Sequence, residues 1–382
     1  MVRIGIIGGG IGGLTTAIAL RQIGLEVDIF EQAPALLDVG AAIALWPNAT
    51  RVLRHLGIAN SLIEHAGTID EIHWLHYDDR LINRVRLKQD PNTPSVALHR
   101  ADLQHILLDQ LPASAVHLDH AFARLRPGNN SVVAQFTNGV SCECDILIGA
   151  DGVHSRLRSE LLDESPLIDR GYIVWRGISE HSPTEISPHT AMEFHGDGMR
   201  FGLGPVGGGR VGWWASIDGS SVPKSTGQAR DALLTAFAGW FAPIRKLVDE
   251  TRPDLILRTS AADRAPSEVW GRGRITLLGD AIHPTTPNLG QGGCMAIEDA
   301  LILTRCFKKY GLNEEALRSY ERVRRYRTAM ITTCSRYYGA VGHVRNAMLR
   351  GIRNSVMHVL PESLVMRLIR IVFDYNAFEV RI

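Results

Sequence analysis

The strongest constraint on the fold is a glycine-rich turn between two strand-like segments at the start of the chain. Residues 2–7 are apolar and rich in β-branched side chains, which predicts a buried parallel strand. Gly8, Gly10 and Gly13 follow, then a helical pattern over 14–23 and a second strand over 26–30. In such a βαβ unit the first glycine permits a tight turn, the second lets a diphosphate approach the backbone, and the third lets helix and strand pack closely.

The second strand ends at an acidic residue. Glu31 follows Gly13 by 18 positions, where a carboxylate accepts hydrogen bonds from ribose hydroxyls and disfavours a 2′-phosphate. The resident dinucleotide is therefore expected to be FAD or NAD rather than NADP. A second glycine pattern, at 207, 209 and 212, lies between two strand-like segments without a following helix, so it predicts a hairpin turn.

Two further motifs lie where strands end. Asp151-Gly152 follows a buried strand over 145–148, at the edge where α/β sheets bind ligands, although alone it could be a turn with Ser155 capping a helix. Gly279-Asp280 follows another strand, and a glycine-rich segment over 290–293 leads into a helix. The Asp280 carboxylate can bind sugar-like hydroxyls, and the helix N-terminus favours developing negative charge.

Together, in this order, the three motifs resemble the para-hydroxybenzoate hydroxylase-like family, the group A FAD-dependent monooxygenases, over nearly the whole chain. Arg100, at the head of a helical stretch, matches a position from which that family contacts FAD. Residues 40–48 and 290–294 look most like the urate hydroxylase and carotenoid (zeaxanthin) epoxidase branches, with salicylate hydroxylase also near. The resemblance implies bound FAD, transient NADPH or NADH, and oxygen transfer from a flavin C4a-hydroperoxide to a small aromatic or heteroaromatic substrate.

The resemblance also implies an architecture. The fold class is α/β with an α+β insertion: a Rossmann-like FAD-binding domain interleaved with a β-sheet substrate domain, plus C-terminal helices. The FAD-binding domain is expected over 1–70, 100–165 and 268–305. The substrate-binding domain is expected over 71–99 and 166–267, and a helical segment over 306–382. An Asn138-Gly139 pair between two strand-like runs predicts a hairpin, and 230–241 predicts a helix.

The cofactor contacts implied by the resemblance are spread over all of these motifs. They are Gly8, Gly10, Gly13, Glu31, Ala42, Arg100, Asp151, Gly152, Arg158, Asp280, Pro284, Gly290, Gly292 and Gly293. The flavin performs the difficult step, while the protein supplies position, electrostatics and exclusion of water. No catalytic side chain is firmly assigned, and no metal site is expected.

Candidates for substrate contact lie on the predicted β-rich insertion. Arg200 could pair with an anionic substrate or be a solvated strand arginine. Trp213 and Trp214 alternate, so one of them should point inward, and His195 could be a proton relay or a surface histidine. In urate hydroxylases an arginine at this position joins a tyrosine twelve residues later. Here that residue is Gly212, which argues against urate.

The bulk composition limits partners and location. A net charge of +1 gives no reason to expect nucleic acid as a partner. Five cysteines without disulfide-framework spacing, and no room for a signal peptide before the glycine motif, indicate a reduced, cytoplasmic protein. Between 318 and 370 there are eleven arginines and two glutamates, which predicts either helices packed on the flavin domain or contact with an anionic membrane surface. Monomer and homodimer both remain open.

Two alternatives to ring hydroxylation stay open. An FAD-dependent epoxidase of an isoprenoid or polyene substrate would be favoured by a long apolar pocket open to the basic tail. A non-catalytic flavin-binding redox module would bind FAD without substrate-stimulated oxidation of NAD(P)H.

Overall fold

A computed structural model describes residues 3–36, 40–88, 90–127, 131–162, 165–221 and 229–382. The strands within them are β1 (Arg3–Ile7), β2 (Glu26–Phe30), β3 (Ala42–Leu45), β4 (Gly67–Thr68), β5 (Glu71–His76), β6 (Leu81–Arg86), β7 (Val96–His99), β8 (Val116–His117), β9 (Phe122–Pro127), β10 (Val132–Phe136), β11 (Ser141–Cys144), β12 (Ile146–Gly149), β13 (Ile168–Ser179), β14 (Thr190–His195), β15 (Arg200–Pro205), β16 (Val211–Asp218), β17 (Leu257–Asp263) and β18 (Ile275–Leu277).

The helices of the same residues carry the connections and the tail. They are α1 (Ile11–Arg21), α2 (Pro47–His55), α3 (Ala59–His65), α4 (Arg100–Leu108), α5 (Arg156–Leu161), α6 (Ala229–Ala236), α7 (Ala242–Glu250), α8 (Gly292–Tyr310), α9 (Glu314–Gly342), α10 (Ala347–Val359) and α11 (Glu362–Phe373).

A five-stranded parallel sheet forms the first layer, in the order β18-β12-β1-β2-β8. Its central strands are buried on both faces, as expected for parallel strands covered by helices. Helix α1 begins at Ile11, three residues earlier than the sequence pattern predicts. Gly12 and Gly13 lie inside its first turn, where the absence of side chains lets α1 approach α8 at Gly12 and the end of β1 at Gly13. The predicted Rossmann-like unit is confirmed.

The insertion forms a seven-stranded sheet in the order β17-β13-β16-β15-β14-β5-β6. Both predicted hairpins are confirmed, since β10 pairs antiparallel with β11 and β15 with β16. The helix predicted over 230–241 is present as α6, but it ends at Ala236. Gly239 then takes a left-handed φ of 78°, and a separate helix, α7, begins at Ala242 with Pro243 in its first turn.

A small sheet, in the order β3-β7-β4, lies between these layers. Strand β7 runs directly into α4, and pairing of β3 with β7 places Ala41 beside Arg100, whose N–H donates to the Ala41 carbonyl oxygen at 3.0 Å. Strands β5 and β6 belong to the seven-stranded sheet, whereas β7 pairs with the N-terminal segment. The division into domains by residue range stays a prediction.

The C-terminal helices pack on the rest of the protein, and many of their arginines face inward. Arg324 is fully buried, and Arg336 and Arg345 pair with Asp263 and Asp218 at 3.1 and 3.2 Å. The excess of arginine in this tail is therefore largely used in ion pairs within the protein. In the described part of the chain, no helix is long and apolar enough to cross a membrane.

Candidate active site

A cavity of about 1670 Å³ lies between the parallel sheet, the seven-stranded sheet and the C-terminal helices. Most of the predicted cofactor residues line it: Gly10, Ala42, Arg100, Gly152, Asp280, Pro284, Gly290, Gly292 and Gly293. The remaining five, Gly8, Gly13, Glu31, Asp151 and Arg158, do not line it. The fold thus brings the three motifs together around one space.

The three glycines of the first motif differ in what surrounds them. A Cβ on Gly8 would lie 2.4 Å from the Ala150 carbonyl oxygen, and one on Gly13 would lie 2.0 Å from the Gly8 carbonyl oxygen. These two positions therefore serve close backbone packing. A Cβ on Gly10 would meet no protein atom within 4 Å. Because Gly10 lines the cavity, the space beside it is available to a ligand.

Two helix N-termini open onto the cavity without a side-chain cap. Helix α1 starts after Gly10 and α8 after Gln291, and neither has a capping side chain or an acidic residue in its first turn. Their free N–H groups and positive dipole ends therefore favour bound negative charge. The first suits a diphosphate, and the second suits the charge of a reduced flavin.

Glu31 is held at the end of β2. Its Oε2 accepts a hydrogen bond of 2.6 Å from the Gly9 N–H, and its Oε1 accepts one of 2.9 Å from the Ala33 N–H. Gln104 Nε2 donates to the Gly9 carbonyl oxygen at 2.9 Å. The carboxylate is thus fixed beside the glycine turn, and each oxygen keeps lone pairs that a ribose hydroxyl can use.

The second motif contributes to the cavity through its backbone. Ser155 caps α5, as expected, by accepting a 2.9 Å hydrogen bond from the Arg158 N–H. Asp151 Oδ2 accepts from the Leu157 N–H at 3.2 Å, and burial raises the pKa of this carboxyl. Arg158 is buried and donates to Ser165 Oγ at 2.7 Å. Gly152 lines the cavity together with its neighbours Ala150, Val153 and His154, whereas Asp151 and Arg158 do not.

Asp280 is surrounded by protein atoms, but its side chain is exposed to the space of the cavity. Burial raises the pKa of Asp280, while the positive charges of His283, Arg100 and Arg176 act in the opposite direction. A Cβ on Gly292 would lie 3.7 Å from Asp280 Oδ1, so the carboxylate sits beside the N-terminus of α8. Arg176, on β13, also lines the cavity.

Among the described residues, five buried polar atoms of residues that line the cavity have no hydrogen-bond partner: Trp46 Nε1, Arg176 Nε, Arg200 Nε, Thr285 Oγ1 and Gln291 Nε2. Buried polar groups are rarely left unpaired, because each one costs about 1–3 kcal/mol of desolvation. A ligand rich in nitrogen and oxygen would satisfy them. The residues present therefore fit a flavin dinucleotide.

Arg200 is fully buried on β15, so the expectation of a solvated arginine is wrong. Its Nη1 donates to Glu193 Oε1 at 2.9 Å, its Nη2 donates to Asn288 Oδ1, and its guanidinium lies 5.1 Å from the Trp214 ring centroid. Tyr338 donates to the other oxygen of Glu193 at 2.7 Å. The charge of Arg200 is thus already balanced inside the protein.

Trp213 and Trp214 alternate as expected. Trp213 packs into the core of the insertion and donates to Thr251 Oγ1 at 2.9 Å, although part of it reaches the cavity. Trp214, on the opposite face of β16, lines the cavity as well. His195 is not at the surface, because β14 is an interior strand covered on both faces. It does not line the cavity, its pKa is far below the usual range because of burial and the charge of Arg200, and its nearest acid is Glu193 at 3.4 Å.

Comparison with known proteins agrees with this geometry. A family model described as an FAD binding domain matches residues 1–335. The chain belongs to this family of FAD-dependent group A monooxygenases. The monooxygenase is 36% identical to aurachin C monooxygenase/isomerase of Stigmatella aurantiaca over 363 residues, which are 94% of each chain. It is 37% identical to 3-amino-4-hydroxybenzoate 2-monooxygenase of Streptomyces cremeus over 340 residues, covering 86% and 85% of the two chains.

A solved structure shares the whole architecture. HpxO of Klebsiella pneumoniae, complexed with FAD and uric acid, superposes with a TM-score of 0.91 at 29% identity, over 97% of this monooxygenase and 96% of HpxO. The α/β fold with its antiparallel insertion and C-terminal helices is therefore confirmed, as is the use of FAD, NAD(P)H and O₂.

A buried charge network, which the sequence did not predict, lies behind the loop that carries Asp280. Glu298 and Asp299 on α8 are fully buried, and Arg324 of α9 lies 2.6 Å from a carboxylate oxygen of each. The other oxygen of Asp299 accepts from the Gly279 N–H at 2.9 Å and lies 2.6 Å from His283 Nε2. Burial alone would raise the pKa of Asp299, but the charges of His283 and Arg324 lower it to about 2.

This network ties the loop that carries Asp280 to two helices. A signal for it does exist in the sequence, because an acidic pair within the otherwise apolar stretch 294–303 needs buried cations. Which arginines supply them depends on how α9 packs.

Proposed function

We propose that this monooxygenase hydroxylates a small aromatic or heteroaromatic ring, with NADH or NADPH as the transient reductant. The observation that carries the proposal is the shared cavity. Its wall combines the cofactor segments 40–44 and 290–293 with an apolar surface of the seven-stranded sheet that includes Leu203 and Trp214. An aromatic side chain on the wall, beside the segments expected to contact the flavin, suits the binding of a flat ring.

The bound cofactor and the groups of the protein have separate roles. Bound FAD, once reduced by NAD(P)H, supplies the oxygen-activating chemistry. The N-terminus of α8 stabilises negative charge near residues 290–293. Apolar side chains such as Leu203 and Met192 exclude water from the chamber. Burial, and then the charge of Glu193, raise the pKa of Tyr338 well above its usual range, so its hydroxyl stays protonated and acts as a hydrogen-bond donor.

Urate is not the substrate we propose. The resemblance gives urate hydroxylases a tyrosine at the position of Gly212. A Cβ on Gly212 would lie 2.4 Å from the Ala42 Cβ and 2.7 Å from Val206 Cγ1. A tyrosine therefore has no room here unless residues 40–44 move away from β16. The proposed substrate is a ring recognised mainly by apolar contact.

Replacement of Arg200 by methionine should weaken the binding of neutral and of anionic ring substrates to the same extent. The reason is that Arg200 is balanced by Glu193 rather than reserved for a substrate anion. Loss of the cation leaves a buried carboxylate, so the variant should also lose about 3 kcal/mol of stability. Steady-state KM values for a ring carboxylate and its matching amide test this.

The control is a double variant that combines Arg200→Met with Glu193→Gln. Because this variant lacks both buried charges, it should regain much of the stability lost in Arg200→Met alone. If KM for the carboxylate alone rose tenfold or more, Arg200 would be a direct anion contact instead.

A substrate screen tests the function itself. Purified holoenzyme should oxidise NADH or NADPH faster in the presence of the correct ring compound, consume O₂, and form a product heavier by one oxygen atom. A hydride-transferring reductase would consume no O₂ with substrate. A non-catalytic flavin module would show no stimulation by any ring compound, and that result would refute the proposal.

Epoxidation of an isoprenoid or polyene is the second candidate. One specific observation favours it: part of the cavity wall is a long apolar surface contributed by α10 and α11. An epoxide product would open to a diol in acid, whereas a ring hydroxylation product would not. Cytoplasmic location, membrane-surface contact and the choice between monomer and homodimer stay predictions.

A further inference from the structure

Helices α10 and α11 present apolar stripes to the cavity. On α10 the lining side chains include Leu349, Ile352 and Val356, with spacings of three and four residues. Those on α11 follow the same repeat and are Val365, Leu368, Ile369 and Val372. Because residues at these spacings share one helix face, each helix turns one apolar stripe toward the same space.

These stripes are not packed into a core. Ile352 is 53% exposed and Leu368 is 54% exposed, although both line the cavity. A helix of a soluble protein normally buries its apolar stripe against other elements. Here the stripes face open space, and contiguous exposed apolar surface of this kind marks binding sites. The stripe from Leu349 to Val356 spans about 10 Å at 1.5 Å per residue.

The stripes lack polar groups that would recognise a polar ligand. Among the described lining residues of the two helices, the charged one is Arg353. Its guanidinium donates to the Val341 carbonyl oxygen at 3.2 Å, to the Gly342 carbonyl oxygen at 3.3 Å and to Asn354 Oδ1 at 2.9 Å. The protein itself therefore uses the polar edge of this side chain.

The apolar surface is continuous with the proposed ring site. Leu203 and Trp214 line the same cavity as the stripes. At its inner end α11 is fixed near the flavin segment, since the Phe373 ring stacks on Trp46 with centroids 4.0 Å apart. At the outer end Asn83 Nδ2 donates to the Leu360 carbonyl oxygen at 3.1 Å, which holds the turn between the helices.

We propose that the stripes of α10 and α11 form a channel for a hydrocarbon chain carried by the ring substrate. This inference rests on the proposed function, because it assigns the tail of the molecule whose ring lies beside residues 40–44. The substrate class is then an alkylated or prenylated aromatic rather than a small polar ring. A channel for a hydrocarbon chain explains why apolar side chains line the cavity along both α10 and α11.

The test is a binding series with 4-n-alkylphenols from methyl to decyl, titrated calorimetrically into oxidised holoenzyme below their aggregation concentrations. Each added methylene should tighten Kd by about twofold to fourfold until the channel is filled. Ile352→Gln should reduce this gain per methylene and leave Kd for 4-methylphenol within about twofold of wild type. Leu368→Gln provides a second variant on the other helix with the same expectation.

Val359→Gln is the matched control. Val359 is 73% exposed on the same helix but does not line the cavity, so its variant should retain the wild-type series. A Kd independent of chain length would overturn the channel, and so would equal losses in the Ile352 and Val359 variants, which would indicate a general surface effect such as lipid or protein contact. If Kd tightens with each added methylene but no phenol is oxygenated, the result supports the hydrocarbon channel and contradicts ring hydroxylation.

Discussion

Gly10→Val should yield a correctly folded protein that does not retain FAD. A Cβ at Gly10 would meet no protein atom within 4 Å, and the residue has an ordinary φ of −78°, so we expect the fold to tolerate valine. The added methyl groups would instead occupy the space beside the N-terminus of α1, where the diphosphate is proposed to lie. A clash of this kind costs on the order of 3 kcal/mol, which weakens FAD about 100-fold.

The measurements are the flavin absorbance of the purified variant, its Kd for added FAD, and the thermal unfolding of the cofactor-free protein. Gly13→Val is the contrasting variant. Its Cβ would lie 2.0 Å from the Gly8 carbonyl oxygen, so it should lower the stability of the cofactor-free protein itself. Gly351→Val, at an open position outside the cavity, should leave FAD content unchanged. Normal FAD retention by Gly10→Val would contradict the assignment.

The cofactor-binding part of the site can be predicted from the sequence because the features that define it lie close together along the chain. The tight turn at Gly8, the uncapped start of α1 and the acid after β2 are all defined within about thirty residues of chain. The aspartates at 151 and 280 are recognisable because they follow buried strands, and parallel strands bring their carboxyl ends to one edge. Local chemistry and sheet topology are sufficient there.

The part of the cavity proposed to bind substrate is harder to predict, because the residues that contact each other there are far apart in the sequence. The burial of Arg200 depends on Asn288 and Tyr338, which are far from it in sequence and join it only after the tail packs on the insertion. Alternation along β14 and β15 cannot show this, since both faces of these strands are covered. His195 is buried for the same reason.

The helical tail shows a similar division. Its repeat of apolar residues predicts helices, and the structure confirms them. The eleven arginines suggest a basic surface, yet Arg324 and Arg327 point at buried acids of α8, at 2.6 and 3.3 Å from Glu298 oxygens. Composition counts charges but does not show which ones are paired. That distinction matters for stability.

Arg324→Met should therefore destabilise the protein more than any surface substitution in α9. The replacement leaves Glu298 and Asp299 buried without their main cation, and breaking such a network costs about 3–5 kcal/mol. Denaturant unfolding of the cofactor-free protein measures this loss. Arg322→Met, at an exposed position two residues earlier on the same helix, is the control and should change the free energy of unfolding by less than about 0.5 kcal/mol.

The pH dependence separates the loss of this ion pair from a simple packing defect. In the wild type the pKa of Asp299 is about 2, below the value of about 3.9 in unfolded chains, so its contribution is complete above pH 4 and is lost as the pH falls toward 2. In Arg324→Met, the pKa of Asp299 rises, because burial still raises it and His283 is the remaining charge that lowers it. The ionised Asp299 then contributes less stability above pH 4 than it does in the wild type. The deficit should be largest near pH 7 and shrink as the pH falls toward 2, whereas a deficit that is constant across this range would show that packing, not charge, is what Arg324 contributes.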